Sequence, residues 1–268
     1  METSDLVALL IPLSYFVALA TEAMWPARRF PERRGWRWLG VGFLVLIGTV
    51  GAVVPQLLPL DWMVAHRWLD GTGLGVVGGT LVGWIVLSFF SYAYHRASHA
   101  WTPLWRISHQ IHHSPQQVDV SGSVLFHPFE MVVQVLLQLF VTVIVLGLDP
   151  LAASLTGVVA ALHGIFQHWN VRTPRWIGYF VQRPEAHCLH HERGVHARNF
   201  ADFPLWDILF GSFHNPERFD GECGFDAPAD RRLGAMLAWR DVNAPLLGSD
   251  SRGARESAAS TAARVQVS

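Results

Sequence analysis

The chain has 268 residues, 51% of them hydrophobic and 15% charged, with a formal net charge of −1. A soluble domain carries about 25% charged residues, so this chain lacks the polar surface of one and reads as a membrane protein. Its 20 basic residues are all arginine. The near-zero balance says nothing about nucleic acid, and no basic aromatic patch argues for it, so none is expected as a partner. Two cysteines, Cys188 and Cys223, are too few for a disulfide framework and fit a reducing compartment.

Five apolar stretches approach the roughly 20 residues that span a bilayer, at about 6–25, 38–60, 73–94, 124–148 and 151–168. The first ends near an Ala18-Leu19-Ala20 sequence that resembles a signal cleavage site. Glu2 and Asp5 precede it with no basic residue, so it reads as an uncleaved membrane helix. The loop after it carries Arg28, Arg29, Arg33, Arg34 and Arg37. That excess marks the cytoplasmic side. The second loop holds only Arg67, and 19 of the 20 arginines fall on the assigned cytoplasmic side. Gly75, Gly78, Gly79 and Gly83 in the third stretch permit close helix approach, either as plain packing or as a lining for lipid access. The last two stretches meet at Gly147-Leu148-Asp149-Pro150, a turn that makes them a hairpin. His127, Pro128 and Glu130 at the start of the fourth leave open whether it spans fully. The tail from about 248, rich in Ser, Ala and Arg, is expected to be disordered.

Counting spans from the arginine-rich loop puts three histidine clusters on the cytoplasmic side. His95 and His99 form H-x3-H at the end of the third stretch. His109, His112 and His113 form H-x2-HH, and His187, His190 and His191 repeat it. On a helix, residues three and four apart are neighbours about 5–6 Å apart at Cβ, so each cluster can aim two or three imidazoles at one point. Imidazole suits iron, zinc and copper. Eight histidines are too many for one four-coordinate ion and imply two adjacent metals, with redox or hydrolytic chemistry.

Other histidines are weaker candidates. His127 sits at a helix start before a proline. His168 lies near the cytoplasmic end of its stretch, while His163 is about a turn deeper and suits a core or supporting role. His66 falls on the far side, His214 reads as surface, and His196 is open. Asp119, Glu130, Glu185, Asp202 and Asp207 are carboxylates near enough in sequence to hold the outer ring N–H of a ligand. Cys188, inside the last box, points off the ligand face and reads as packing.

Three rival functions bear on the same residues. A bis-histidine haem cytochrome needs one histidine on each of two facing helices and no HH doublets. A non-catalytic metal carrier or transporter wants ionisable residues along a path through the spans, which lack them apart from His163. A two-metal zinc hydrolase wants bridging carboxylates at close spacing.

The three boxes in this order resemble those of the fatty acid hydroxylase/sterol desaturase superfamily. Phe126-His127-Pro128-Phe129-Glu130 is similar to its HPxE element, and Phe166-Gln167-His168-Trp169-Asn170 to its FQHxN element. Residues 184–191 match the segment ending in the last box. Asn199-Phe200, with the Leu205-Trp206-Asp207-Ile208-Leu209-Phe210-Gly211-Ser212-Phe213 run, resembles its NxG…WDxLFGT stretch. The likeness covers about 75–217. It departs at Ala201-Asp202, where glycine is usual, and at Cys188, where arginine or lysine often stands.

The resemblance implies an all-α integral membrane fold, with four to five transmembrane or embedded helices and a cytoplasmic helical cap holding a di-metal histidine site. It divides the chain into N-terminal helices over 1–72, a catalytic unit over 73–217 and an extension over 218–268. It implies a membrane oxidoreductase, placed by the arginine-only, Ala- and Gly-rich composition in a bacterial inner membrane, that uses O2 and two electrons to hydroxylate or desaturate a lipid C–H bond. The substrate would be an acyl chain, a sterol or a related hydrophobic molecule taken from the bilayer. Electrons would come from a separate donor such as a ferredoxin or cytochrome. Carried over residue by residue, His95, His99, His109, His112, His113, His187, His190 and His191 would be ligands of two iron ions. His168 would complete the set, with His127 a further candidate.

Overall fold

The computed structural model of the protein describes residues 3–195 and 197–243. His196 and the tail from 248 therefore lie outside the described residues. Among the described residues the fold is all-α, with no β-strand beyond one isolated bridge between Glu192 and Cys223.

Five apolar helices carry the architecture: α1 (Thr3–Met24), α2 (Trp36–Val53), α3 (Gly75–Ala100), α4 (Pro128–Leu139) and α5 (Pro150–His168). Each belongs to a stretch long and apolar enough to cross a membrane, the shortest 18 residues and the longest 30. Their outer faces stay apolar: Leu13, Val17, Trp38, Val45, Val77 and Leu81 are all exposed. In water such a surface would be costly; against lipid tails it is solvated by its own kind.

Local chemistry fixes the helix ends. Asp149 accepts from Leu151 N at 2.8 Å and Pro150 fills the first position of α5. The fourth span starts at Pro128 rather than near 124, because residues 122–124 form a 3-10 turn and His127 caps the helix. It then widens into a π-helix, Phe140–Val145, before the turn at Gly147. Gly147 has φ +56°, and a side chain there would run into Leu69 O.

The glycines of α3 serve packing. A Cβ on Gly79 would stand 2.9 Å from Ala152 Cβ, and one on Gly83 would stand 2.5 Å from Thr156 Oγ1. Small residues here let α3 and α5 approach closely. α1 also packs along α5, and α2 along α4.

The ends of these helices meet the remaining chain on one side. Glu22 on α1 accepts from Val120 N at 3.1 Å and Asn170 N at 3.2 Å. Trp36 at the start of α2 donates to Asp119 Oδ2 at 2.8 Å. The chain after the last span adds two short helices, α6 (Pro184–His190) and α7 (Leu205–Phe210). Beyond residue 217 the chain folds back over the second box. Gly224 N donates to His191 O, Phe225 N to Ser114 O, and Gln110 Nε2 to Arg240 O.

Candidate metal centre

Among the described residues, nine imidazoles converge at this end of the bundle, in two groups. His95, His99, His109, His113 and His190 form one; His112, His168, His187 and His191 form the other. Within each, one ring nitrogen per residue lies within 4.8 Å of all the rest.

Helix geometry explains the partition. His95 and His99 are four apart on α3, as are His109 and His113 on the second box and His187 and His191 on the third. Each such pair shares a face and serves one group. His112 and His190, three residues into their boxes, turn away by part of a turn and serve the opposite group. Each H-x2-HH box therefore feeds both groups rather than aiming at one point. A π-helical turn, Trp105–His109, leads into the α-turn Gln110–His113 and sets the phase of the second box.

Outer ring nitrogens are pinned. His95 Nδ1 donates to Phe200 O at 2.6 Å, His190 Nδ1 to Arg198 O at 2.7 Å, and His168 Nδ1 to Gly164 O at 2.7 Å. His109 Nδ1 donates to Glu130 Oε1 at 2.9 Å, both side chains being buried. The Gln182 amide stands 2.7 Å from His187 Nδ1. A carbonyl only accepts, so in His95, His190 and His168 the proton sits on Nδ1 and Nε2 bears a lone pair.

Each of these Nε2 atoms faces the Nε2 of a second imidazole. Nε2 to Nε2 distances are 3.2 Å for His95 and His99, 3.1 Å for His113 and His190, 3.2 Å for His112 and His168, and 3.1 Å for His168 and His187. Two nitrogens each about 2.1 Å from one ion and at right angles are about 3.0 Å apart. The spacing is that of ligand edges. His109 Nε2 is buried with no hydrogen-bond partner among the described residues. Burial holds the pKa values of His112, His113, His187 and His191 well below the ordinary 6.5, and neighbouring imidazoles push the same way. Neutral, converging and desolvated, this donor set fits transition-metal ions.

Aromatic rings wall the site. Phe126 stacks on His112 at 4.4 Å, and Phe200 lies 5.3–5.8 Å from His99, His190 and His95. A cavity of about 270 Å³, lined among others by Arg193, Phe225 and Asp226, reaches His113 and His191, one from each group.

The remaining sequence candidates lie elsewhere. His127 joins neither group: its Nδ1 accepts from Phe129 N at 3.0 Å and its Nε2 faces Leu237 O at 3.3 Å. His163 stacks on Trp84 at 4.9 Å, and exposed His66 stacks on Trp62. His214 is tied to Asn199 through its backbone. Of the five carboxylates, Glu130 alone touches a clustered histidine. Asp119 binds Trp36, Glu185 binds Thr173 and Arg183, Asp202 stands by His163 and Gln167, and Asp207 accepts from Phe200 N and Ala201 N. Cys188 is wholly buried with Val118, Phe219 and Cys223, a setting that suits a thiol and would strand a cation. Sequence reading missed Gln182, Phe126 and the carbonyls of Arg198 and Phe200, because a backbone oxygen leaves no residue-type signal.

A family model described as fatty acid hydroxylase matches residues 80–212. The ornithine lipid hydroxylase OlsE of Rhizobium tropici is 31% identical over 187 residues, covering 67% of this chain and 55% of that protein. The sphingolipid C4-hydroxylase sur2 of Schizosaccharomyces pombe is 25% identical over 136 residues, covering 49% and 46%. The chain thus spans about half the length of the curated relatives it matches. No solved structure matches it. With the boxes ordered as they are, the helices long and apolar, and relatives that are lipid hydroxylases, the chain belongs to the fatty acid hydroxylase superfamily.

Proposed function

We propose that the nine clustered histidines bind two iron ions and that the protein hydroxylates a C–H bond of a membrane lipid, using O2 and two electrons. The observation that carries this reading is the set of Nε2 atoms facing one another at 3.1–3.2 Å, with the opposite nitrogens of His95, His168 and His190 tied to carbonyls. One ion would be held by His95, His99, His109, His113 and His190, the other by His112, His168, His187 and His191. Bound iron would supply the oxidant that an unactivated C–H bond requires, since no side chain can remove hydrogen from such a bond by acid–base means at neutral pH.

The protein's own work is positioning and exclusion. Carbonyls and Glu130 fix ring orientation and keep the ligating nitrogens deprotonated. Phe126, Phe200 and Trp105 keep bulk water from the rings. The spans end where the histidines begin, so an acyl chain in the bilayer is close to the site. The cavity beside His113 and His191 offers an approach for an electron-transfer protein, a ferredoxin or cytochrome, from the aqueous side. The arginine distribution supports the cytoplasm as that side. The names of the two relatives support hydroxylation over desaturation and a substrate with a long apolar chain and a polar head, as in ornithine lipids and sphingolipids.

The test is anaerobic iron loading of the purified full chain. O2, a reductant and host lipid extract then follow, with mass spectrometry for products 16 mass units heavier. His112→Ala and His190→Ala each remove a ligand from a different group and are expected to abolish product. Retained turnover in either rejects the assignment.

A further inference from the structure

Of three successive carbonyls, two reach different histidines of the centre and the middle one reaches Gln182. Arg198 O accepts from His190 Nδ1 at 2.7 Å, and Phe200 O accepts from His95 Nδ1 at 2.6 Å. Between them, Asn199 O accepts from the Gln182 amide at 3.0 Å, and that amide lies 2.7 Å from His187 Nδ1. The strap 198–200 thus touches both groups: two members of the first directly, one member of the second through Gln182.

Its shape has local causes. Asn199 has φ +56°, a left-handed conformation that asparagine tolerates better than most residues. Its side chain donates to Ala186 O at 3.0 Å and His214 O at 2.8 Å, and accepts from His214 N at 2.7 Å. The strap's next two N–H groups end on one carboxylate. Asp207, on the inner face of α7, accepts from Phe200 N at 2.9 Å, Ala201 N at 2.8 Å and Ser212 Oγ at 2.7 Å. α7 is itself fastened to the bundle by Trp206 Nε1 donating to Ser88 Oγ on α3 at 2.8 Å. Asp207 is only 1% exposed, and it contacts no clustered histidine directly.

We propose that Asp207 and Gln182 are positioning residues for the metals: together they set the 198–200 strap whose carbonyls orient His95 and His190, Asp207 through the N–H groups of Phe200 and Ala201 and Gln182 through Asn199 O. Neither is itself a ligand in this reading. Their effect is to hold the rings of the first group, and loss of such a partner typically costs 10- to 100-fold in metal affinity. The proposal rests on the reading of the nine histidines as ligands.

The experiment uses the full chain in detergent or nanodiscs, titrated anaerobically with cobalt(II), whose ligand-field absorption reports nitrogen coordination. Asp207→Asn keeps shape but replaces one acceptor by a donor against Ala201 N. It is expected to weaken binding to the first group by 10- to 100-fold and to shift the absorption bands, while circular dichroism shows the helices intact. Gln182→Leu frees Asn199 O of the strap and is expected to weaken the first group as well, by a smaller factor. Wild-type isotherms and spectra in both variants overturn the proposal. If Asp207→Asn does not accumulate folded, Gln182→Leu decides alone: unaltered cobalt binding at the first group sinks the proposal. A wild-type protein that takes up no cobalt counts against the metal reading itself, which separates the two failures.

Discussion

The rings of His113 and His191 stack 4.0 Å apart and 11° from parallel, although the two histidines belong to different groups. This contact joins the second box to the third and places the two groups side by side. It follows from the doublets: chain neighbours on a helix diverge by about 100°, so His112 and His113 must part company, as must His190 and His191.

The divergence makes the doublets separable. His113→Ala is expected to lower the affinity of the first ion, and His112→Ala that of the second, each leaving about one tightly held metal per chain. Elemental analysis after dialysis against a weak chelator checks this. Loss of both metals in either variant would mean that the groups are not independent sites.

Glu130 is expected to matter through His109 alone. Glu130→Gln keeps the volume but removes the charge from a buried 2.9 Å contact. A 10- to 100-fold loss of affinity at the first group is expected, with the second unaffected. Equal affinity in a metal titration would show the carboxylate to be structural.

His127 gives the opposite expectation. Its Nδ1 caps α4 at Phe129 N, and it lies outside both groups. His127→Ala should cost about 1 kcal/mol of stability, as the loss of a helix cap does. Metal content should stay at the wild-type value. A variant short of one ion would restore His127 as a ligand.

Arg183, 1% exposed, holds Glu185 at 3.0 Å and also binds Thr173 O and Asn215 Oδ1 at the start of α6. Arg183→Met leaves Glu185 as an uncompensated buried charge. Breaking a buried pair in this way costs about 3–5 kcal/mol. The midpoint of chemical denaturation should fall accordingly, and a shift under 1 kcal/mol would show that water reaches the pair.

The metal-free protein should be acid-labile. His112, His113, His187 and His191 have pKa values held well below 6.5 by burial. In the unfolded chain the same rings protonate near 6.5. Below that pH the unfolded state binds more protons than the folded one, so stability rises with pH up to about 6.5 and levels off above. Thermal melts of stripped protein between pH 5 and pH 7.5 should show the midpoint falling on the acid side; a flat profile would mean that the rings are solvated.

Sequence alone determined the apolar spans, the eight histidines of the three boxes and the likeness to the family, which added His168. These depend on apolar run length and on residue types whose chemistry is recognisable at short spacing. Tertiary structure decided the partition of the boxes, since which group a histidine joins depends on helix phase and on what lies opposite. It also decided that His127 is a cap, that Gly79 and Gly83 seat α3 against α5, and that Glu130 alone among five carboxylates touches the centre. The carbonyls of 198–200 were wholly outside the reach of sequence, because every residue has one, and only the fold says where it points.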